Sequence, residues 1–179
     1  GIDGSLHVVA RLLGRRTAGS VAMYMEYAWP PEPSLAMGYS YLNPSTDEFG
    51  RLNQMGEMHL EEKRYPEAEK AFRDIVKKHP QNYQAWSMLG ESLSGSNQHA
   101  EAGQAFSRSA ADSKNQMSAY AYYRAAGEFV EGGKKGDAIT MLGKAIQSGF
   151  PASRVEKDPR MASILTEPRV NQMLAEAKP

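Results

Sequence analysis

Between residues 52 and 80, the large and small side chains that a helix would bury fall at Leu52, Met55, Gly56, His59, Ala68 and Phe72, and Pro80 closes the stretch. Spacings of three and four gather the first four on one helical face, and Ala68 and Phe72 on one face of a second helix. Glu62 to Tyr65 reads as the turn between them, with Pro66 suited to the first turn of the second helix. The pattern returns 34 residues later as Trp86, Leu89, Gly90, Leu93, Ala102 and Phe106. There Ser94 to Asn97 forms the turn, and Gln81 or Asn82 can start the hairpin after Pro80. Large residues fall on large ones, glycine on glycine and alanine on alanine, which is the signature of stacked helical hairpins. The glycine leaves room where the partner helix crosses closely.

A two-residue insertion brings a third unit into register: Tyr122, Ala125, Ala126, Phe129, Ala138, Leu142 and Ala145, with Gly132, Gly133 and Gly136 between its helices and Pro151 near its end. Beyond it, Asp158-Pro159 and Thr166-Glu167-Pro168 mark two proline-initiated segments, the second leading into a helix with Val170, Met173 and Leu174 on one face and Thr166 as its cap. A solenoid must hide the apolar side of its last repeat, so this segment is expected to cap the array. The expected fold is therefore all-α: units at 49–82, 83–116 and 119–152, then capping helices over 153–179.

These residues resemble the tetratricopeptide repeat family, whose tryptophan, leucine-glycine, alanine, phenylalanine and proline positions are met by Trp86, Leu89-Gly90, Ala102 and Phe106, and by Met55-Gly56, Ala68, Phe72 and Pro80. The family's tyrosine position is held by His59 and Leu93, and Lys114 stands where a second terminal proline would fall. The resemblance implies a concave surface lined by the first helix of each hairpin, with Asn53, Glu57, Ser87, Glu91, Tyr123 and, one turn earlier, Tyr120 facing it. Its expected role is non-enzymatic: binding a protein or peptide partner, or self-association. The glutamates suit a basic peptide and oppose a terminal carboxylate, while the tyrosines suit an apolar side chain. The alternative is a groove filled by the chain's own linker or capping helix.

The first fifty residues do not follow the repeat. Ile2, Leu6, Val9 and Leu13 line one helical face over 1–28, Gly14 to Arg16 break it, and Thr17 can cap a second helix bearing Val21, Tyr24 and Met25. Prolines 30, 31, 33 and 44 make 29–48 an extended linker. Gly1-Ile2-Asp3, the break Gly14-Arg15-Arg16-Thr17-Ala18 and Met25-Glu26-Tyr27 give residues 1–34 a resemblance to the C-terminal helices of the DJ-1/PfpI family, α/β proteins related to class I glutamine amidotransferases. On that resemblance, the chain is expected to be the C-terminal, accessory part of a longer protein whose catalytic domain precedes Gly1. The family's nucleophilic cysteine has no counterpart here.

Composition narrows the chemistry further. Lysine plus arginine and aspartate plus glutamate both number 21, so no net field favours nucleic acid or an anionic membrane. Lys77-Lys78 and Lys134-Lys135 read as solvated helix or loop ends. No cysteine is present, which removes thiolate chemistry and disulfides. His7, His59, His79 and His99 are not spaced as metal ligands, and neither a G-x-S-x-G elbow nor a phosphate loop occurs, so no cofactor or metal is expected. Met23, Met25, Met55, Met58 and Met88 offer an adaptable surface only where they escape the core. No apolar run spans a membrane and no secretory signal layout opens the chain, which leaves the compartment open.

Overall fold

The computed structural model describes residues 48–113 and 116–177, together with Ser5, Val9, Thr17 and Val21, which are helical. The linker and nearly all of the 1–28 segment lie outside the described residues. The chain forms two compact units, residues 1–54 and 55–179.

Among the described residues, six helices run through the repeat region: α1 (Glu48–Glu61), α2 (Tyr65–Lys78), α3 (Tyr83–Gly95), α4 (His99–Asp112), α5 (Gln116–Glu131) and α6 (Lys135–Gln147). From α2 onward each helix packs most extensively on its neighbour in sequence, as stacked hairpins must. The fold is all-α among the described residues, and its hairpins are those the periodicity predicts.

The three hairpin turns have one geometry. Lys63, Asn97 and Gly133, at equivalent repeat positions, take the left-handed conformation with φ of 58°, 60° and 69°. In each case the following backbone N–H closes onto a carbonyl five residues back: Arg64 onto His59 at 2.8 Å, Gln98 onto Leu93 at 2.8 Å and Lys134 onto Phe129 at 2.7 Å. This satisfies orphan carbonyls at the end of the first helix while reversing the chain. The recurrence carries the repeat register through the third hairpin. Between hairpins, Asn82 caps α3 by accepting from the Ala85 N–H at 3.0 Å. The indole N–H of Trp86 donates to the Pro80 carbonyl at 2.8 Å, tying the start of one hairpin to the end of the last.

Within hairpins, the spacing of the helices is set by an aromatic ring lying over a glycine. A methyl group built on Gly56 would stand 2.6 Å from Cζ of Phe72, and one on Gly90 would stand 2.9 Å from three ring atoms of Phe106. Both rings are fully buried, as are Leu93 and Ile75 nearby in the core. In the third hairpin the same positions hold Ala126 and Leu142, both fully buried: a methyl is added on one side and the bulky ring is lost on the other.

The C-terminal segment comprises α7 (Ala152–Lys157), a 3₁₀ turn (Pro159–Met161), α8 (Ala162–Leu165) and α9 (Pro168–Glu176). The 3₁₀ turn packs on α5 and α9 packs on α6. Val155, Met161, Ile164 and Val170 are fully buried and Leu174 nearly so. Arg160, Met161, Leu165 and Leu174 follow Arg124, Ala125, Phe129 and Ala138 by 36 residues, so the segment continues the register as a shortened further hairpin. One expectation is corrected here. Thr166 does not cap α9; Glu167 occupies the cap position without a side-chain bond, and Pro168 begins the helix by its fixed φ alone.

The ring-over-glycine packing predicts the outcome of Gly90→Ala. Alanine favours a helix interior by up to ~1 kcal/mol, but its methyl collides with a ring that has nowhere to go. We expect a net loss of about 1–2 kcal/mol in urea unfolding. Partial recovery is expected when Phe106→Leu is added, because the third hairpin uses that pair. A neutral or stabilising Gly90→Ala would show that the ring does not fix the helix spacing.

Candidate binding groove

The N-terminal halves of α3 and α5 stand on either side of a groove of about 370 Å³. Its floor is the ring of Phe106, from α4. Ser87 and Met88 line it from α3, and Met117, Tyr120 and Arg124 from α5. Met117 is 57% exposed and Tyr120 51% exposed, which makes them the large exposed hydrophobic side chains of the second compact unit among the described residues. A second, shallower hollow of about 340 Å³ lies toward the turn ends of the helices, between Leu60, Tyr65, Glu91 and Gly95.

The six residues expected at the concave surface divide among several environments. Ser87 and Tyr120 come together in the α3–α5 groove. Asn53 is half-buried on α1 in the first compact unit, and Glu57, one turn later, is half-buried in the second. Glu91 is paired within the array. Its two carboxylate oxygens accept from the two terminal nitrogens of Arg124 at 2.6 and 2.9 Å. Arg124 in turn lies 4.5 Å over the Phe106 ring. Burial works against the Arg124 charge, but the Glu91 carboxylate and the Tyr120 hydroxyl more than compensate, and its pKa is raised. The repulsion expected between Glu91 and a carboxylate ligand is accordingly cancelled at close range by Arg124.

Tyr123 is placed elsewhere, for a reason the register makes clear. It is the equivalent of Ser87, at the position that faces the next hairpin, and what packs there is the shortened C-terminal segment. Tyr123 is 7% exposed, its ring stacks on Phe150 at 4.0 Å between centroids, and its hydroxyl donates to the Asp158 carboxylate. Asp158 also receives the Arg160 guanidinium at 2.7 Å and the Arg160 backbone N–H at 2.9 Å. The C-terminal segment does not line the α3–α5 groove, so it is not the groove's occupant.

The sequence pattern alone did not single out Met117 and Arg124. They share a face of α5 with Tyr120, at spacings of three and four residues, and that periodicity was the available signal. Of the methionines singled out, Met58 is core at 6% exposure and Met88 lines the groove. His59 is buried and accepts from Arg64 Nε at 3.2 Å, a structural role. Glu128 is also buried, held by the Ser94 hydroxyl at 2.8 Å and His99 Nδ1 at 2.9 Å. Here the carboxylate stands between serine and histidine, so the imidazole does not contact the hydroxyl and cannot activate it as a nucleophile. Among the described residues no three metal-ligating side chains converge, and no helix is long and apolar enough to cross a membrane.

The repeat region is thus a helical-hairpin solenoid with a groove between the first helices of its second and third hairpins. Its residues 54–116 are matched by the family model described as Tetratricopeptide repeat, a class of interaction module that presents extended concave surfaces to partner proteins. No curated protein and no solved structure matches the chain. No enzyme family matches it either. The DJ-1/PfpI resemblance of residues 1–34 has no counterpart among the matches, and those residues lie outside the described ones except at Ser5, Val9, Thr17 and Val21.

Asp158 carries the pH prediction of this region. Bonding to the Arg160 guanidinium, helped by the Tyr123 hydroxyl and the Arg160 N–H, outweighs burial and holds its carboxyl at about 2. A depressed carboxyl stabilises the fold above its unfolded value near 3.9 and loses that contribution as pH falls through the folded value. The stability advantage of the native chain over Asp158→Asn should therefore shrink between about pH 5 and pH 2, by ~1–2 kcal/mol. Thermal unfolding across that range checks it; a constant difference would mean that the Asp158 carboxyl titrates alike in the folded and unfolded chain.

Proposed function

We propose that this chain is a non-enzymatic interaction module that captures a segment of a partner protein in the α3–α5 groove. The observation that carries the reading is the pairing of a formed hollow, about 370 Å³ in volume, with two large apolar side chains at its rim that are more than half exposed. Single exposed hydrophobic residues are ordinary on a protein surface. Two that flank a concave, aromatic-floored hollow mark a place where association removes apolar area from water. The rigid hairpins on both sides support the reading, because a preformed groove spares the ordering cost that a flexible site incurs on binding. The family of residues 54–116 supports it as well, since its members work through such surfaces.

The test is selection of a random phage-displayed peptide library on the full chain, followed by titration of recovered peptides against the native chain and the double variant Met117→Ser, Tyr120→Ser. Both side chains are exposed, so the variant should unfold within ~0.5 kcal/mol of the native chain. We expect it to bind the peptides at least about tenfold more weakly, equivalent to ~1.4 kcal/mol. Unchanged affinity in a folded variant would reject the groove as the binding site.

A further inference from the structure

The polar groups around the groove define what kind of segment it takes. Among the described residues, Arg124 is the one charged side chain in the lining, and its terminal nitrogens are already engaged bidentately by Glu91 at 2.6 and 2.9 Å. The Glu91 carboxylate neutralises the guanidinium at close range, so an anionic ligand competes with Glu91 for it, and a cationic ligand meets the guanidinium itself. The deeper hydroxyls are also spent internally. Ser109 donates to the Tyr83 carbonyl at 2.8 Å and Ser113 to the Ala110 carbonyl at 3.2 Å. What remains toward a ligand is the methionine and tyrosine walls and the side chains of Gln84 and Ser87, backed from the core by Phe106, which is 1% exposed beneath Arg124.

Size narrows the choice. A hollow of about 370 Å³ holds one or two large side chains, whereas the apolar stripe of an amphipathic helix needs anchors spread over several turns. Met88 and Met117 are unbranched and polarizable, so they adjust around either an aromatic or an aliphatic group. Gln84 and Ser87 offer a donor and an acceptor beside the hollow, matched to the backbone of an extended chain.

Resting on the reading that this groove captures a partner, we infer that the captured segment is an uncharged, extended peptide anchored by one bulky apolar side chain between Met88 and Met117. Recognition does not use a terminal carboxylate or a basic residue. The anchor supplies the apolar burial, and Gln84 and Ser87 hold the adjoining backbone.

The test uses the ¹⁵N-labelled full chain and acetylated, amidated glycine-serine peptides carrying a single central Phe, Leu, Lys or Asp, titrated to millimolar concentration. The Phe and Leu peptides should move the amide signals of Ser87, Met88, Met117 and Tyr120, binding at least about tenfold more tightly than the Lys and Asp peptides. Equal response to a charged peptide overturns the inference while leaving the groove a binding site. No groove response to Phe or Leu overturns it as well. Groove signals that move with protein concentration alone, before any peptide is added, identify a second copy of the chain as the occupant and also overturn it. The library selection separates the two levels: groove-dependent peptides with charged anchors defeat this inference only, whereas an absence of groove dependence defeats the binding reading itself.

Discussion

The packing of Phe106 against Gly90 is the contact on which the rest of the molecule depends. An aromatic ring seated where a side chain would otherwise stand fixes how closely α4 crosses α3, to within the width of a methyl group. The same ring forms the floor of the groove and lies beneath the Arg124 guanidinium. Core spacing, groove depth and the position of the nearest charge are therefore set by one side chain that is 1% exposed. The groove can be apolar and still well shaped because it is the outer surface of a core contact.

The pairing of Glu91 with Arg124 adds a second constraint, across the hairpin boundary. It joins the first helices of successive hairpins by two charge-assisted hydrogen bonds, a geometry that specifies register as well as energy. The Arg73 guanidinium makes a comparable link on the second helices, reaching Glu69 at 2.8 Å within α2 and Glu101 at 2.8 Å on α4. Arg73 and Glu101 are more exposed than Arg124 and Glu91, and such exposed pairs contribute little to stability. Their common effect is to consume charge inside the array, which is consistent with a neutral chain presenting a neutral groove.

Periodicity made most of this fold legible, because the buried positions of a helical hairpin recur at fixed spacing and a glycine opposite a phenylalanine has few other meanings. The helix pairs, their turns and the glycine close approach are all visible in the residue pattern. The site was only half legible. Ser87 and Tyr120 line one hollow, since position within a repeat determines which way a residue faces. Glu91 reads as free in the sequence because its partner, Arg124, lies 33 residues away on a degenerate hairpin, and single-sequence spacing does not reveal ion pairs between helices. Tyr123 holds the repeat position of Ser87, but there the ring stacks on Phe150 and the hydroxyl reaches Asp158, contacts with a shortened hairpin that the repeat pattern does not reveal.

Comparing the two junctions explains why one is open and the next is closed. Arg160 is the equivalent of Arg124, and Gly127 is the equivalent of Glu91. At the first junction the arginine finds a carboxylate across the groove and is held to one side, leaving the hollow clear. At the second it finds only the backbone of Gly127, with a guanidinium nitrogen 3.3 Å from where a Cβ would stand, and turns to Asp158 instead. Asp158 in turn receives the Tyr123 hydroxyl, and the Tyr123 ring lies on Phe150, so the space equivalent to the groove is filled by an aromatic stack and a charged network. The exchange of glutamate for glycine at a single repeat position thus accompanies the change from an open hollow to a position that the C-terminal segment covers.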